Sequence, residues 1–288
     1  MYTAINYWVL GGFDGNKGPD AAIKDAASWG MDGVELTVGD CLPIDITQEE
    51  CKRIRKLADE AGIGLRTLAT GFYWGCSLGS PDEAERKQAL AFTRSYLQIA
   101  AWIGVESILV VPGAVDVAWE PDRPVVPYQQ VWDCATASLK ELLPLAESLH
   151  INIALENVWN KFLLSPIEMK IFVDQFESDH LGVYFDTGNC LVNAYPEHWL
   201  DVLGPRVKAV HVKNYSREMA GGTLSGFGDD LLQGDLDLEA LLAAIKRNGL
   251  EAHPFTAEMI PFSRLPEMVL PDPLLAQDTA EKLKHLFS

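Results

Sequence analysis

The 288-residue chain is poor in basic side chains and has no long apolar run. Lys and Arg total 23 against 41 Asp and Glu, which gives a net charge of −18. Such a surface repels phosphate backbones and anionic lipids, so we expect neither nucleic acid nor a membrane as a partner. No stretch approaches the roughly 18 apolar residues of a membrane span, and the amino terminus lacks the features of a secretory signal. We expect a soluble protein that binds a small ligand.

Cysteine and glycine are present without the spacings that would give them a known role. The five cysteines form no Cys-x-x-Cys pair, which argues against a zinc ribbon and a disulfide framework. Free thiols are typical of a reducing compartment, so the sequence predicts a cytoplasmic protein. Gly11 and Gly12 do not continue into Gly-x-Gly-x-x-Gly, and no Walker-type motif occurs. A doubly wound, dinucleotide-binding sheet is therefore the weaker structural alternative.

Short apolar runs alternate with amphipathic patterns along the whole chain. The runs predict strands at Ala4–Val9, Gly33–Leu36, Gly64–Ala69, Ser107–Val111, Asn152–Glu156, Gly182–Asp186, Ala209–Val212 and Phe255–Glu258. The intervening patterns predict helices at about 19–29, 47–61, 81–103, 128–149, 165–177, 196–203, 237–248 and 273–287. Eight such units predict an α/β protein with a (β/α)8 TIM barrel, and 48% hydrophobic residues suffice for its core. We expect residues 1–288 to form a single domain.

Helix-end signals support these boundaries. Three segments have capping-box spacing, in which a Ser or Thr is followed three residues later by Glu: Thr47–Glu50, Ser80–Glu83 and Ser165–Glu168. Four helices are predicted to end just before a glycine in the left-handed conformation, at Gly30, Gly62, Gly104 and Gly249. A helix end at each of these glycines supports the predicted start of the strand that follows it.

Four residues with metal-binding side chains each end a short apolar run. They are Glu156, Asp186, His211 and Glu258. A side chain where a buried parallel strand stops lies at the carboxyl end of that strand, and in one barrel the four can converge. Singly, each could be a helix cap or a buried hydrogen-bonding residue. Together, three carboxylates and one imidazole suit one divalent cation, Mn2+, Mg2+ or Co2+.

The segments around these residues resemble a known enzyme family. They read Ala-Leu-Glu156-Asn-Val-Trp-Asn-Lys-Phe-Leu-Leu-Ser-Pro, Gly-Val-Tyr-Phe-Asp186-Thr-Gly-Asn, Tyr195-Pro-Glu-His-Trp, Val-His211-Val-Lys and Thr-Ala-Glu258-Met. They resemble the sugar and sugar-phosphate isomerase/epimerase family, a xylose-isomerase-like TIM-barrel group that includes ketose 3-epimerases and hexulose-phosphate isomerases. The resemblance implies that the four residues bind the metal and that Glu156 and Glu258 are also the acid/base pair.

The substrate-binding positions of the ketose 3-epimerases are only partly retained. Asn189 stands where they usually carry a His, and Phe162 and Leu163 stand where a Glu is expected. Arg217, six residues after His211, matches a substrate-binding Arg of that branch. The resemblance therefore implies the metal and proton-transfer chemistry more firmly than the identity of the sugar.

Further candidates for contact with a sugar follow the predicted strands. Asn189, Lys161 and Arg217 could bind hydroxyl or anionic groups, Glu35 ends the second strand, and Trp119 lies in a long loop. The long loops at about 112–127 and 213–236 lie on the same face and could cover a pocket. Gly221-Gly222 and Gly226-Phe227-Gly228 in the second loop predict a mobile segment, with phosphate binding as an alternative.

The sequence thus predicts a metal-dependent isomerase or epimerase of a ketose, a ketose phosphate or a related sugar acid. Proton abstraction and return would proceed through a metal-stabilised enediolate. Three alternatives stay open: an aldose–ketose isomerase, a non-catalytic sugar-binding barrel, and an endonuclease-IV-like hydrolase, which the acidic charge disfavours. Barrels of this kind often form homo-oligomers, but the sequence carries no interface signature.

Overall fold

A computed structural model describes residues 1–118, 120, 122–221 and 223–288. Parallel strands close into a barrel in the order β1 to β8, with β8 paired to β1. The strands are β1 Tyr2–Asn6, β2 Gly33–Thr37, β3 Thr67–Ala69, β4 Ser107–Val110, β5 Asn152–Glu156, β6 Leu181–Asp186, β7 Val207–Val212 and β8 Pro254–Ala257. The predicted (β/α)8 fold class is confirmed. The strands read as apolar runs because they are buried on both faces, as all six residues of β6 show.

Helices follow the strands along the chain. They are α1 Tyr7–Gly11, α2 Pro19–Ser28, α3 Gln48–Ala61, α4 Glu83–Ile103, α5 Tyr128–Leu149, α6 Pro166–Asp174, α7 Thr187–Leu191, α8 Pro196–Leu203, α9 Arg217–Ala220, α10 Leu238–Arg247 and α11 Pro273–Leu286. Eight of these lie within a few residues of the predicted helices. Among the described residues, no helix combines the length and apolar character needed to cross a membrane.

The first strand is shorter than predicted, because a polar side chain ends it. The apolar run suggested a strand as far as Val9, but β1 stops at Asn6, whose side chain accepts a hydrogen bond from the backbone N–H of Trp8. This cap starts the short helix α1, which turns Trp8 toward the carboxyl end of the barrel. Asp186 does the same at the end of β6, where its Oδ1 caps α7.

Most of the predicted helix ends are confirmed. Thr47 and Ser165 each accept a hydrogen bond from the backbone N–H three residues later. The four glycines predicted to end helices all have positive φ, between 65° and 80°. The prediction at Ser80 is wrong: Asp82 caps α4, while Ser80 donates to the carboxylate of Glu85 instead. The Ser-Pro pair gave the right helix but placed its start two residues too early.

Candidate metal centre

The four predicted ligands lie together at the carboxyl end of the barrel. Glu156 ends β5, Asp186 ends β6, His211 lies one residue before the end of β7, and Glu258 directly follows β8. Pairing of β6 with β7 sets Asp186 opposite His211. One ligand atom from each residue lies within 4.8 Å of the others, and all four side chains are buried. Four successive strands therefore bring three carboxylates and one imidazole to a common point.

Two buried polar atoms in this cluster have no hydrogen-bond partner. Asp186 Oδ2 and His211 Nδ1 are both inaccessible to solvent, and neither makes a hydrogen bond of suitable geometry, although the Lys213 ammonium lies 2.9 Å from Asp186 Oδ2. His211 Nδ1 is 3.7 to 3.9 Å from the nearest oxygens of the three carboxylates. An unsatisfied buried polar atom is costly unless something else contacts it. The donor set and these unpartnered atoms fit a divalent cation.

The far side of His211 is held by a buried carboxylate. His211 Nε2 lies 2.7 Å from Glu35 Oε1, and the same Glu35 oxygen accepts from the Asn6 amide. Tyr184 also donates its hydroxyl to Glu35. Burial by itself would lower the pKa of His211, but Glu35 and Glu258 outweigh it and raise that pKa well above its usual value. A carboxylate on one nitrogen of a ligating His fixes the ring and directs the other nitrogen to the metal.

A lysine ammonium borders the same carboxylates. Lys213 Nζ lies 2.5 Å from Glu258 Oε2 and 2.9 Å from Asp186 Oδ2, and the side chain is about one tenth exposed. Burial would lower the pKa of Lys213, but Asp186 and Glu258 raise it. The ring of Phe227 lies over the ammonium at 5.5 Å. Lys213 thus offsets part of the negative charge of the cluster.

The carboxyl of Glu156 has a raised pKa. The pKa of Glu156 is raised to about 7, first by burial and then by the nearby Glu258 and Asp186, while His211 and Lys213 act in the opposite direction. Burial also raises the pKa of Asp186. Glu156 Oε1 accepts a hydrogen bond from the Asn189 amide at 3.2 Å. A carboxyl that gains and loses its proton near neutral pH is suited to acid/base chemistry.

A cavity of about 420 Å3 opens above the cluster. Glu156, Glu258, Lys213 and Asn189 contribute its polar floor, and Asp40 and Thr70 line it as well. The rest of the lining is mainly apolar, with five aromatic side chains that we call the aromatic wall: Trp8, Phe13, Trp74, Trp159 and Phe262. Most ligand pockets combine an apolar lining with a few polar groups in this way.

Of the described residues that were predicted to contact substrate, one lines the cavity and three do not. Asn189 lines the cavity, where its amide bridges Glu156 and Trp159. Glu35 is fully buried behind His211 and does not reach the cavity. Lys161 is exposed and pairs with Asp116, away from the cavity lining. Trp119 lies outside the described residues.

Arg217 also lies away from the cavity lining. Its guanidinium donates to the backbone carbonyls of Leu191 and Ala194 and stacks on the ring of Tyr195. These contacts hold the start of the loop after β7 against the segment after α7. The match to a substrate-binding Arg in the sequence therefore corresponds here to a side chain that joins two loops.

Two charged residues of the cavity, Lys213 and Asp40, were not named as candidates from the sequence. Lys213 directly follows β7 and lies two residues after His211, so the alternation of an extended strand places both on one face. That spacing could have identified it. Asp40 lies in the loop after β2 and accepts a hydrogen bond from the indole of Trp8 at 2.8 Å. No periodicity marks a loop position of this kind, so the sequence held no comparable signal for Asp40.

Comparison with known proteins gives a family match and several similar folds. The model of the family described as xylose isomerase-like TIM barrel matches residues 23–286. No curated protein sequence matches the chain significantly. D-Psicose 3-epimerase from Clostridium cellulolyticum H10, solved with D-tagatose, has a TM-score of 0.80 and 18% identity over 99% of this chain and 97% of its own. At that identity, the likeness shows a shared fold.

Two other solved structures show the same likeness. An L-ribulose 3-epimerase has a TM-score of 0.78 and 16% identity over 99% of this chain and 93% of its own. A 3-keto-D-glucoside 4-epimerase from E. coli has a TM-score of 0.75 and 14% identity over 99% of both chains. The shared fold extends over nearly the whole barrel in each case.

Proposed function

The chain belongs to the xylose isomerase-like TIM barrel family, and on that premise we propose that it is a metal-dependent epimerase or isomerase of a ketose or related keto sugar. One observation carries the proposal. Glu156 and Glu258 reach the floor of one cavity, next to two buried ligand atoms that lack hydrogen-bond partners. We also propose that residues 1–288 act as one domain, since the barrel elements run from Tyr2 to Leu286.

We propose that Glu156, Asp186, His211 and Glu258 hold one divalent cation, either Mn2+, Mg2+ or Co2+. Oxygen and imidazole ligands without thiolate suit these ions. When bound, the cation would polarise the substrate carbonyl and stabilise the enediolate formed on proton loss. Glu35 supports the site by holding the His211 ring from behind.

The two glutamates can divide the proton transfer between them. One carboxylate removes the proton next to the carbonyl, and the other returns a proton to the opposite face, which inverts that carbon. Both carboxylates reach the cavity floor, where each can contact a bound substrate. The aromatic wall limits the access of water to the reacting carbon.

The names of the similar solved proteins support this reaction class. Three of them are a D-psicose 3-epimerase, an L-ribulose 3-epimerase and a 3-keto-D-glucoside 4-epimerase. All three names describe inversion at one carbon of a carbonyl sugar. We therefore favour epimerisation over aldose–ketose isomerisation.

Solvent deuterium tests the proposal directly. Purified protein with added Mn2+ is incubated in deuterated water with a panel of ketoses, ketose phosphates and keto sugars, and the products are followed by NMR. We expect deuterium at a carbon next to the carbonyl together with the inverted epimer. Formation of an aldose would show that the enzyme catalyses aldose–ketose isomerisation and not epimerisation. If neither exchange nor product forms with any compound that binds, the proposed function is wrong.

A further inference from the structure

The cavity lining is unsuited to an anionic substrate. Asp40, Glu156 and Glu258 are its carboxylates, and Lys213 is its basic residue among the described positions. The Lys213 ammonium is already paired with Asp186 and Glu258. Even with a divalent cation in place, that cation and Lys213 only balance Asp186, Glu156 and Glu258. Asp40 then remains as a negative charge facing the ligand.

Basic side chains around the mouth are also engaged elsewhere. Arg123 pairs with Glu85 and donates to the backbone carbonyl of Trp74. Arg264 pairs with Asp272, at 3.2 Å. Lys161 and Arg217 have the partners described above. A phosphate site normally offers Arg or Lys donors aimed at the anion, and no such donor reaches this cavity from the part of the chain that the structure describes.

The cavity is larger and more apolar than a free ketose requires. Its volume of about 420 Å3 lies in the range of pockets that hold drug-sized ligands. A ketose has a hydroxyl or carbonyl on nearly every carbon, and these groups need polar partners. The polar side chains lie at the floor and beside Asp40, whereas Trp8, Phe13 and Phe262 belong to the aromatic wall. Flat aromatic faces favour contact with a ring.

We infer that the substrate is an uncharged keto sugar that carries a second ring, as in a keto-glycoside. The carbonyl end lies over Glu156 and Glu258, Asp40 accepts hydrogen bonds from sugar hydroxyls, and the second ring packs against the aromatic wall. This inference rests on the proposed function and narrows its substrate to a non-phosphorylated glycoside. Asp40 and Phe262 become specificity-determining residues.

Calorimetric titration of the Mn2+-loaded protein tests the inference with three probes: D-fructose, fructose phosphate and a nitrophenyl keto-glucoside. We expect the nitrophenyl keto-glucoside to bind at least about tenfold more tightly than D-fructose. Fructose phosphate should bind no more tightly than D-fructose. Tighter binding of the phosphate, or equal binding of D-fructose and the glycoside, would overturn the inference.

Variants identify the residues responsible. Phe262→Ala should weaken binding of the nitrophenyl compound about three- to tenfold and leave D-fructose binding unchanged. Leu265→Ala is the matched control, since Leu265 is 56% exposed in the same segment and does not line the cavity. Phe13→Ala, at a side chain 46% exposed, repeats the test at a second position of the wall. If neither variant distinguishes the two ligands, the aromatic wall does not hold a second ring.

The effect of the Asp40 charge on substrate choice is tested with a separate pair of variants. Asp40→Asn should raise the affinity for fructose phosphate relative to D-fructose, whereas Asp45→Asn, which removes the same charge from an exposed position, should not. An unchanged phosphate-to-fructose ratio in Asp40→Asn would remove Asp40 from the argument for neutral substrates. Deuterium exchange on the same compounds reports on the proposed function independently. A protein that binds the glycoside most tightly but exchanges no deuterium would retain the substrate class and lose the epimerase assignment.

Discussion

Glu156 and Glu258 have different partners although both reach the cavity floor. Glu156 accepts a hydrogen bond from the neutral amide of Asn189, and Glu258 pairs with the Lys213 ammonium. The free-energy cost of removing either carboxylate therefore depends on which polar group loses its partner. Loss of Glu258 leaves Lys213 with Asp186 alone, whereas loss of Glu156 leaves an amide that water can satisfy.

Glu156→Gln and Glu258→Gln should each lower epimerisation by about two orders of magnitude or more, since each removes one acid/base group. The amide oxygen can still contact the metal, so some metal binding should survive. Solvent exchange without net epimerisation should persist for the substrate epimer whose proton faces the remaining Glu. NMR of both epimers in deuterated water measures these effects. Near wild-type interconversion by Glu258→Gln would exclude the two-base mechanism.

Lys213→Met should change metal affinity and stability in opposite directions. The substitution removes a positive charge next to the cation, so calorimetric titration should show tighter Mn2+ binding. Without metal, the buried carboxylates lose their partner, and the free energy of unfolding should fall by about 3 kcal/mol. Lys208→Met, on the same strand but away from the cluster, is the matched control. Unaltered Mn2+ affinity would mean that Lys213 does not share the charge of the metal centre.

At the scale of elements, the strands at the site were the most predictable part of the chain. Both the prediction and the structure give β5 as Asn152–Glu156, because a buried parallel strand is an apolar run that stops at its polar end. β3 illustrates the limit: the run from Gly64 predicted six residues, but only Thr67–Ala69 form the strand. Gly64 pairs with Gly33 in an isolated bridge, a contact between distant residues that a local pattern does not contain.

The four candidate metal ligands could be identified from the sequence, and the shape of the cavity could not. Each ligand carries its own local signal, since it ends an apolar run. The cavity walls come from separate segments, as with Asp40 in the loop after β2 and Trp8 in α1, whose contact depends on how the two segments pack. Glu35 shows the same limit, because the sequence placed it at the end of the second strand and so suggested a cavity residue, whereas it lies in the middle of β2. His211 of β7 and Tyr184 of β6 instead contact it across the barrel interior.

The loop after β7 is packed more tightly than its glycines suggested. Phe227 is buried and contacts the rings of Tyr215 and Phe262. At Gly226 an added Cβ would lie 2.6 Å from the carbonyl oxygen of Ser216, so glycine there serves close packing. Gly221 has φ of 51° and ends α9, and Gly222 lies outside the described residues. The predicted mobility of this loop stays a prediction.

Hydrogen exchange can test that prediction. The loop at 213–236 should gain backbone protection when substrate binds, because Phe227 connects it to the Lys213 ammonium and to Phe262 in the cavity wall. Phe227→Ala should reduce protection of the free protein in this loop and leave α3, on another side of the barrel, unchanged. Equal protection of the loop with and without substrate would mean that it does not act as a lid.

Over the whole molecule, the strands β5 to β8 and the strands β1 and β2 contribute different parts of the candidate site. β5 to β8 supply the four candidate metal ligands, and β1 and β2 supply Asn6 and Glu35, which hold His211 from behind. Closure between β8 and β1 brings the two groups together. Metal binding should therefore stabilise the entire barrel, because the site exists only when the ring of strands is closed.

The last prediction concerns how the stability of the protein depends on pH and on Mn2+. Burial raises the pKa of Glu156 from 4.5 in the unfolded chain to about 7 in the folded protein. Between these values the folded state binds the extra proton, so Glu156 should lower the stability of the metal-free protein as pH rises from 4.5 to 7. The raised pKa of His211 should continue this fall at higher pH. Metal binding requires the carboxylate, so the stabilisation by Mn2+ should increase over the same range.

Thermal unfolding with and without Mn2+ measures both effects. At a metal concentration about 100 times Kd, the gain should be about 2.7 kcal/mol, or roughly 5 °C in Tm for a chain of this size. Asp186→Asn should lose most of this gain, whereas Asp45→Asn, at an exposed loop position, should retain it. A Tm that rises equally in both variants would show that Mn2+ acts on the acidic surface and not at the four buried residues. If the stability of metal-free Glu156→Gln depended on pH between 4.5 and 7 in the same way as that of the unaltered protein, Glu156 would have an ordinary pKa in the folded protein.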